Sequence, residues 1–252
     1  MSLALGKHPE RLLGLVAAAL AWPAVAQNVD AMLRDADRYR TGADNLQVDT
    51  LVQSYKTDGT LDKERRYTVF AQQDRRTLVL MQSAAEKGQK VLMLGDDFWL
   101  LMPSSQRPMR ITPMQKLLGD ASTGDIATMR WSGDYSATLV GEEPCQPGET
   151  RLCYRLALQA VRKGVTYQRV ELWLARQRHE PVRAQLYVQS DKLAKTAHFE
   201  LDASRSQVDA MVLIDQLGQQ RQTRIRYLQR KERTVPEEWL NPMFLARSPV
   251  LE

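Results

Sequence analysis

The chain has 252 residues, of which 43% are apolar and 26% charged, and it carries a formal net charge of +5. Those proportions exclude a disordered chain and a multispan membrane protein, and they leave enough apolar material for one large hydrophobic core.

Residues 1–26 read as a secretory signal. Lys7 and Arg11 make a basic start, Leu12 to Leu20 is an uncharged apolar run, and Ala24-Val25-Ala26 supplies the small residues that a signal peptidase needs. Cleavage is expected before Gln27. The apolar stretch from Leu12 to Ala26 contains Pro23 and is shorter than the roughly 20 residues that cross a bilayer as a helix. Retention as an uncleaved anchor is the second reading. The expected product is a soluble periplasmic domain spanning 27–252, with a net charge of +4 once Lys7, Glu10 and Arg11 are gone. In that compartment the basic excess either attracts anionic membrane surfaces or merely keeps the chain soluble. Nucleic acid is not an expected partner.

A short amphipathic helix is predicted from Asn28 to before Gly42, with Val29, Met32, Leu33 and Ala36 on one face. The period then changes to two. Leu46, Val48 and Val52 alternate with polar neighbours, and the same alternation returns through Leu152 to Leu158, Val170 to Leu174, Leu186 with Val188, Ala197 to Leu201, and Ile225 with Tyr227. Asp58-Gly59, Lys87-Gly88, Lys163-Gly164, Glu180-Pro181 and Leu217-Gly218 separate these runs as turns. Short strands so spaced predict a mainly β, antiparallel sandwich or barrel.

Three segments break the alternation. Leu78 to Met81, Val91 to Leu94 and Phe98 to Met102 are apolar on both faces, so neither face should meet water. Either a second layer covers the outer face, or one face lines an apolar cavity. Thr112-Pro113 opens a candidate short helix bearing Met114, Leu117 and Leu118, which Gly119 ends. Ser122 and Asp125 resemble a capping box that opens another helical turn through Ile126 and Met129. These two pieces form either a movable lid or a rigid plug. Six methionines between Met81 and Met129 suit a surface that must fit variable apolar shapes, and core filling accounts for them equally well.

Cys145 and Cys153 flank Pro147-Gly148 and, in an oxidising compartment, are expected to form a disulfide across a hairpin tip. Its closed loop is worth about 2.5 kcal/mol on the chain-entropy model. Catalytic signals are thin. Outside the signal the histidines are His179 and His198, and no zinc, nucleophile-elbow or phosphate-loop spacing occurs. His198 lies on the polar side of its strand and reads as surface. Asp96 and Asp97 are adjacent and read as a turn, not an acid/base pair. No enzyme activity, metal or cofactor is expected.

Asp97-Phe98-Trp99-Leu100-Leu101-Met102-Pro103 with Arg107 and Arg110-Ile111 resembles the strand and basic turn of the LolA-like superfamily of outer-membrane lipoprotein-sorting proteins. Val170 to Leu174, followed by Pro181-Val182-Arg183, Tyr187, Asp191, Lys192 and Lys195, is similar to that family's paired strands. Val235-Pro236-Glu237-Glu238-Trp239 with Leu245 is similar to its closing proline-started helix. The similarity spans most of Asn28 to Arg247. It implies an unclosed antiparallel β-barrel with short helices over its mouth and an apolar interior for acyl chains of lipoproteins or lipids. One departure is Gly119 to Ile126, which keeps only the Gly and Asp spacing of the family's Ser-Asp-Phe-Ser-Tyr-like stretch.

The expected function is a periplasmic carrier that shields a lipoprotein or lipid acyl chain between membranes. Leu80, Leu92, Leu94, Trp99, Leu101, Met114, Leu117 and Leu118 are the expected lining. The alternative is a non-catalytic accessory subunit of an inner-membrane exporter of the resistance-nodulation-division type, its barrel filled by its own side chains.

Overall fold

In the computed structural model, residues 28–41, 44–105, 107–112, 125–126, 130–218 and 221–247 are described. The expected signal and cleavage point, and Met114, Leu117 and Leu118 of the expected lining, lie outside them. Helix α1 (Val29–Thr41) begins where the Asn28 side chain accepts from the Ala31 backbone N–H at 3.0 Å. It buries Met32, Leu33, Ala36 and Tyr39, the face that the sequence pattern selects.

Thirteen strands follow. In chain order they are β1 (Leu46–Tyr55), β2 (Leu61–Gln72), β3 (Arg76–Met81), β4 (Lys90–Leu94), β5 (Asp97–Leu101), β6 (Met109–Ile111) and β7 (Tyr135–Pro144). Then come β8 (Leu152–Ala160), β9 (Arg169–Ala175), β10 (Pro181–Tyr187), β11 (Leu193–Leu201), β12 (Val208–Asp215) and β13 (Gln222–Glu232). All belong to one antiparallel sheet, ordered β6-β5-β4-β3-β2-β1-β13-β12-β11-β10-β9-β8-β7. Two meanders are therefore joined at the pairing of the first strand with the last. The outermost strands, β6 and β7, stay unpaired with each other, so the barrel is unclosed.

Strand alternation sorts the side chains into two apolar layers. Val69, Val79, Val91, Met93 and Phe98 join the main core on the concave side, together with α1 and the inner faces of β8 to β13. On the opposite face of the same strands, Phe70, Leu78, Leu80, Leu92 and Leu101 form a second cluster with Val235, Leu240 and Leu245. The doubly apolar strands thus have a cover on the convex face, and the C-terminal arm supplies it. That arm consists of two short 3-10 turns, Glu237–Leu240 and Pro242–Phe244, where the sequence suggested one helix. Trp239 meets Phe70 edge-on at 5.5 Å. Gln72 donates to the Arg233 carbonyl and accepts from the Val235 N–H, and Lys90 Nζ donates to the carbonyls of Leu245 and Arg247 at 2.9 and 2.7 Å.

The expected disulfide between Cys145 and Cys153 is present, with both residues fully buried. It packs with Trp173, Ala175 and Val182 as a third cluster. Trp173 Nε1 donates to Glu143 at 2.6 Å, and the Arg183 guanidinium lies 3.4 Å from the Trp173 ring centroid. Asp97 pairs with Leu94 as the first residue of β5, so the tight turn is Gly95-Asp96. His198, expected at the surface, is half-buried opposite Arg183 on β10 and Val212 on β12.

Candidate functional site

Between α1 and the concave face lies a cavity of about 40 Å³, space for about three water molecules. Its floor is apolar because inward positions of four neighbouring strands meet there: Val170 from β9, Leu186 from β10, Ala197 and Phe199 from β11, and Met211 from β12. Trp131 closes one side, with its ring edge-on to Phe199 at 5.7 Å. Residues 130–134 belong to the segment that carries the chain from edge strand β6 to edge strand β7, and α1 holds that segment in place. Asp37 accepts from the Trp131 and Ser132 backbone N–H groups, both at 2.8 Å, and from the Ser132 hydroxyl at 2.6 Å. Burial raises the Asp37 pKa, while these donors and Arg40 oppose the rise.

A polar rim stands above the apolar floor. Arg40 of α1 lies 4.1 Å from the Trp131 ring centroid, and Arg130 also borders the cavity. Asp125 and Ile126 are helical and buried. The Asp125 carboxylate is 2.5 Å from Lys195 Nζ and accepts from the Tyr167 hydroxyl at 2.6 Å. Neither partner of this ion pair is open to water, since the side chains are 2% and 8% exposed. Tyr135 donates to the Tyr167 carbonyl at 2.8 Å, and burial, then the neighbouring Asp134 charge, pushes its phenol pKa upward. Among the described residues no group of three His, Cys, Asp or Glu side chains is arranged to hold a metal. The arrangement is chemically suited to an apolar guest with a polar end.

Of the expected lining, Met114, Leu117 and Leu118 lie outside the described residues, and the other five lie on the opposite face of the sheet from this cavity. Leu80, Leu92 and Leu101 are buried in the convex cluster, and Leu94 and Trp99 pack against it beneath the C-terminal arm. They face away from the cavity. The reason is the period of two: in a strand apolar on both sides, a one-residue choice decides between opposite faces of the sheet. Val79, Val91, Met93 and Phe98 are the concave members of the same strands. The Ser122 half of the expected capping box lies outside the described residues, and the Asp125 carboxylate meets Lys195 and Tyr167. Sequence reasoning also passed over Arg40 and Asp37, because a charged residue on a helix ordinarily signals the wet face. The one available signal was their placement, each four residues and so about one helical turn beyond an apolar position, Asp37 after Leu33 and Arg40 after Ala36.

A family profile described as "Uncharacterized protein" matches residues 73–247, more than half of the chain. A crystal structure of a LolA superfamily protein from Nitrosomonas europaea superposes with a TM-score of 0.73 at 29% identity, covering 84% of this chain and 96% of that one. The chain belongs to the LolA-like superfamily. Two more distant structures share the fold of this LolA-like chain. One is a domain from Vibrio parahaemolyticus described as an outer membrane lipoprotein-sorting protein, with a TM-score of 0.67, 15% identity and coverage of 86% and 98%. The other is a DUF1329 family protein from Desulfovibrio piger, with a TM-score of 0.66, 19% identity and coverage of 86% and 97%. No curated protein matches the LolA-like sequence. No helix among the described residues is long and apolar enough to cross a membrane.

Proposed function

We propose that this protein is a non-catalytic periplasmic carrier that takes an acyl chain of a lipid or lipoprotein into the space between α1 and the concave face of the sheet. The observation that carries the reading is the apolar floor from β9 to β12, roofed by α1 and by the segment around Trp131 and edged by Arg40, Asp125 and Lys195. Membership of the LolA-like superfamily and the lipoprotein-sorting description of the Vibrio relative point the same way. Export through residues 1–26 is part of the proposal, as is domain 27–252 as the mature unit.

The physics is transfer between equivalent apolar solvents. Each buried CH₂ stabilises the bound state by about 0.8 kcal/mol, so a chain of roughly 14 carbons gains about 11 kcal/mol before opening costs. A resting cavity of about 40 Å³ does not hold such a chain, so loading requires the roof to move off the floor. That opening cost offsets part of the gain and keeps release within reach.

The test is binding of a fluorescent palmitate analogue, with native mass spectrometry of gently purified protein to detect co-purified lipid. Ala197→Trp fills the floor, where Ala197 is 1% exposed, and is expected to weaken probe binding about tenfold or more in a folded protein. Leu101→Asp, on the convex face, is expected to lower stability and leave binding per folded molecule intact. Unchanged binding in Ala197→Trp with loss in Leu101→Asp would return the site to the convex cluster. No lipid and no probe uptake in the parent protein would favour the accessory-subunit reading.

A further inference from the structure

The two edges of the sheet share no backbone pairing, yet turns of the first meander reach the second across the opening. Asp74 and Arg75 turn the chain from β2 to β3, and Gly95 and Asp96 turn it from β4 to β5. The Gly95 N–H donates to the Arg75 carbonyl at 3.1 Å, so these turns form one unit. Opposite them stand Asp134, just before β7, and the loop from β8 to β9. Here the Val161 N–H donates to the Asp134 carbonyl at 3.0 Å, which makes a second unit.

Four charges alternate across the gap. Arg75 Nε lies 2.5 Å from Asp134 Oδ1, and Arg162 Nη1 lies 3.4 Å from the same oxygen. Arg162 Nη2 lies 2.7 Å from Asp96 Oδ1, which also accepts from the Gly164 N–H at 3.2 Å. The backbone is adapted to this meeting. Asp74 and Arg75 both hold left-handed conformations, with φ of 58° and 56°, which side chains other than glycine adopt at a cost. A Cβ on Gly164 would come within 2.5 Å of Asp96 Cα, and one on Gly133 would come within 2.5 Å of Arg75 Nη2. Glycine therefore stands at both points where the second unit approaches the first.

We propose that Arg75, Asp96, Asp134 and Arg162 form a releasable joint that sets how far the unclosed barrel opens, and so regulates entry of the acyl chain to its interior. The cargo rests on the carrier reading above; the joint is tested without it. Side-chain exposures of 39% for Arg75, 46% for Asp96, 22% for Arg162 and 11% for Asp134 leave the joint within reach of mobile ions. The Arg162–Asp96 pair, the more open of the contacts, contributes little fixed stability and is screened by salt, which suits a contact that must break and re-form, while the sheltered Asp134 carboxylate anchors both arginines.

The experiment places spin labels on the two edges, through Met109→Cys on β6 and Val140→Cys on β7, which are 51% and 55% exposed. The native cysteines are paired and do not react. A single narrow distance is expected at low salt. Arg162→Glu should shift it to longer, broader values, Arg162→Lys should retain it, and about 1 M NaCl should widen the parent protein while adding little to Arg162→Glu. Association of the palmitate analogue should accelerate about fivefold in Arg162→Glu, because a smaller fraction of molecules is closed. Unchanged distances both in Arg162→Glu and in high salt overturn the joint. Should Arg162→Glu fail to fold, the salt titration of the labelled parent decides alone. Widening without probe uptake in any form keeps the joint and removes the carrier reading. Uptake with fixed distances keeps the carrier and removes the joint.

Discussion

His198 shows how a side chain on the outer face of a sheet acquires a pH dependence. Burial lowers its pKa from the ordinary 6.5, and the Arg183 charge across the strand pair lowers it further. The folded protein therefore resists a proton that the unfolded chain accepts. Above the unfolded value the neutral ring contributes its full stability. As pH falls below about 6.5 the unfolded state binds more protons, and stability declines until the folded value is passed. Thermal melts of the parent across this window should show that decline, and His198→Gln should flatten it. An unchanged slope in His198→Gln would assign the decline to other groups. Lys195 is a harsher case, because its partner Asp125 is 2% exposed. Lys195→Met leaves a buried carboxylate without its cation and is expected to cost about 3 to 5 kcal/mol by chemical denaturation. Asp125→Leu combined with Lys195→Met should recover part of that loss, since the uncompensated charge is then absent.

The elements that obey one period were legible in the sequence. The burial of α1 follows its i, i+3, i+4 pattern, and β8, β10 and β13 largely keep the alternation that the sequence shows, whereas β12 (Val208–Asp215) carried no such signal. Strands β3 to β5 resisted reading because apolar side chains on both faces remove the signal that tells inside from outside. What covers their convex face is an arm that meets Lys90 from 155 residues further along the chain, and no local pattern reports so distant a contact. The polar rim was hidden for a related reason: Arg40, Asp125 and Lys195 each resemble surface residues until the fold brings them together. The disulfide is the opposite case, since its eight-residue separation confines it to a hairpin tip. Both cysteines are 0% exposed and pack on Trp173, so Cys145→Ser with Cys153→Ser removes a cross-link and two core contacts together. The expected loss is about 2 to 4 kcal/mol, read as a lowered denaturation midpoint that reducing agent reproduces in the parent. A midpoint insensitive to both would mean that the tip folds independently of the sheet.

For the protein as one body, the pairing of β1 with β13 is the decisive feature. It seats the first and last strands at the centre of the sheet and leaves β6 and β7 as its two edges. Stability should therefore be graded, highest where strands have neighbours on both sides and lowest toward the short edge β6 and the roof segment 130–134. Hydrogen exchange should show slow amides in β1, β2, β12 and β13, and faster exchange in β6 and 130–134. A carrier that opens from its edges has a further signature. The palmitate analogue binds the open form and replaces roof-to-floor contacts with contacts to the cargo, so exchange should change in α1, in 130–134 and at Val170, Leu186 and Phe199, and not in the centre of the sheet. If probe binding instead altered exchange only around Phe70, Leu92 and Trp239, the cargo would lie beneath the C-terminal arm, and the concave floor would be a packed core that holds the fold together.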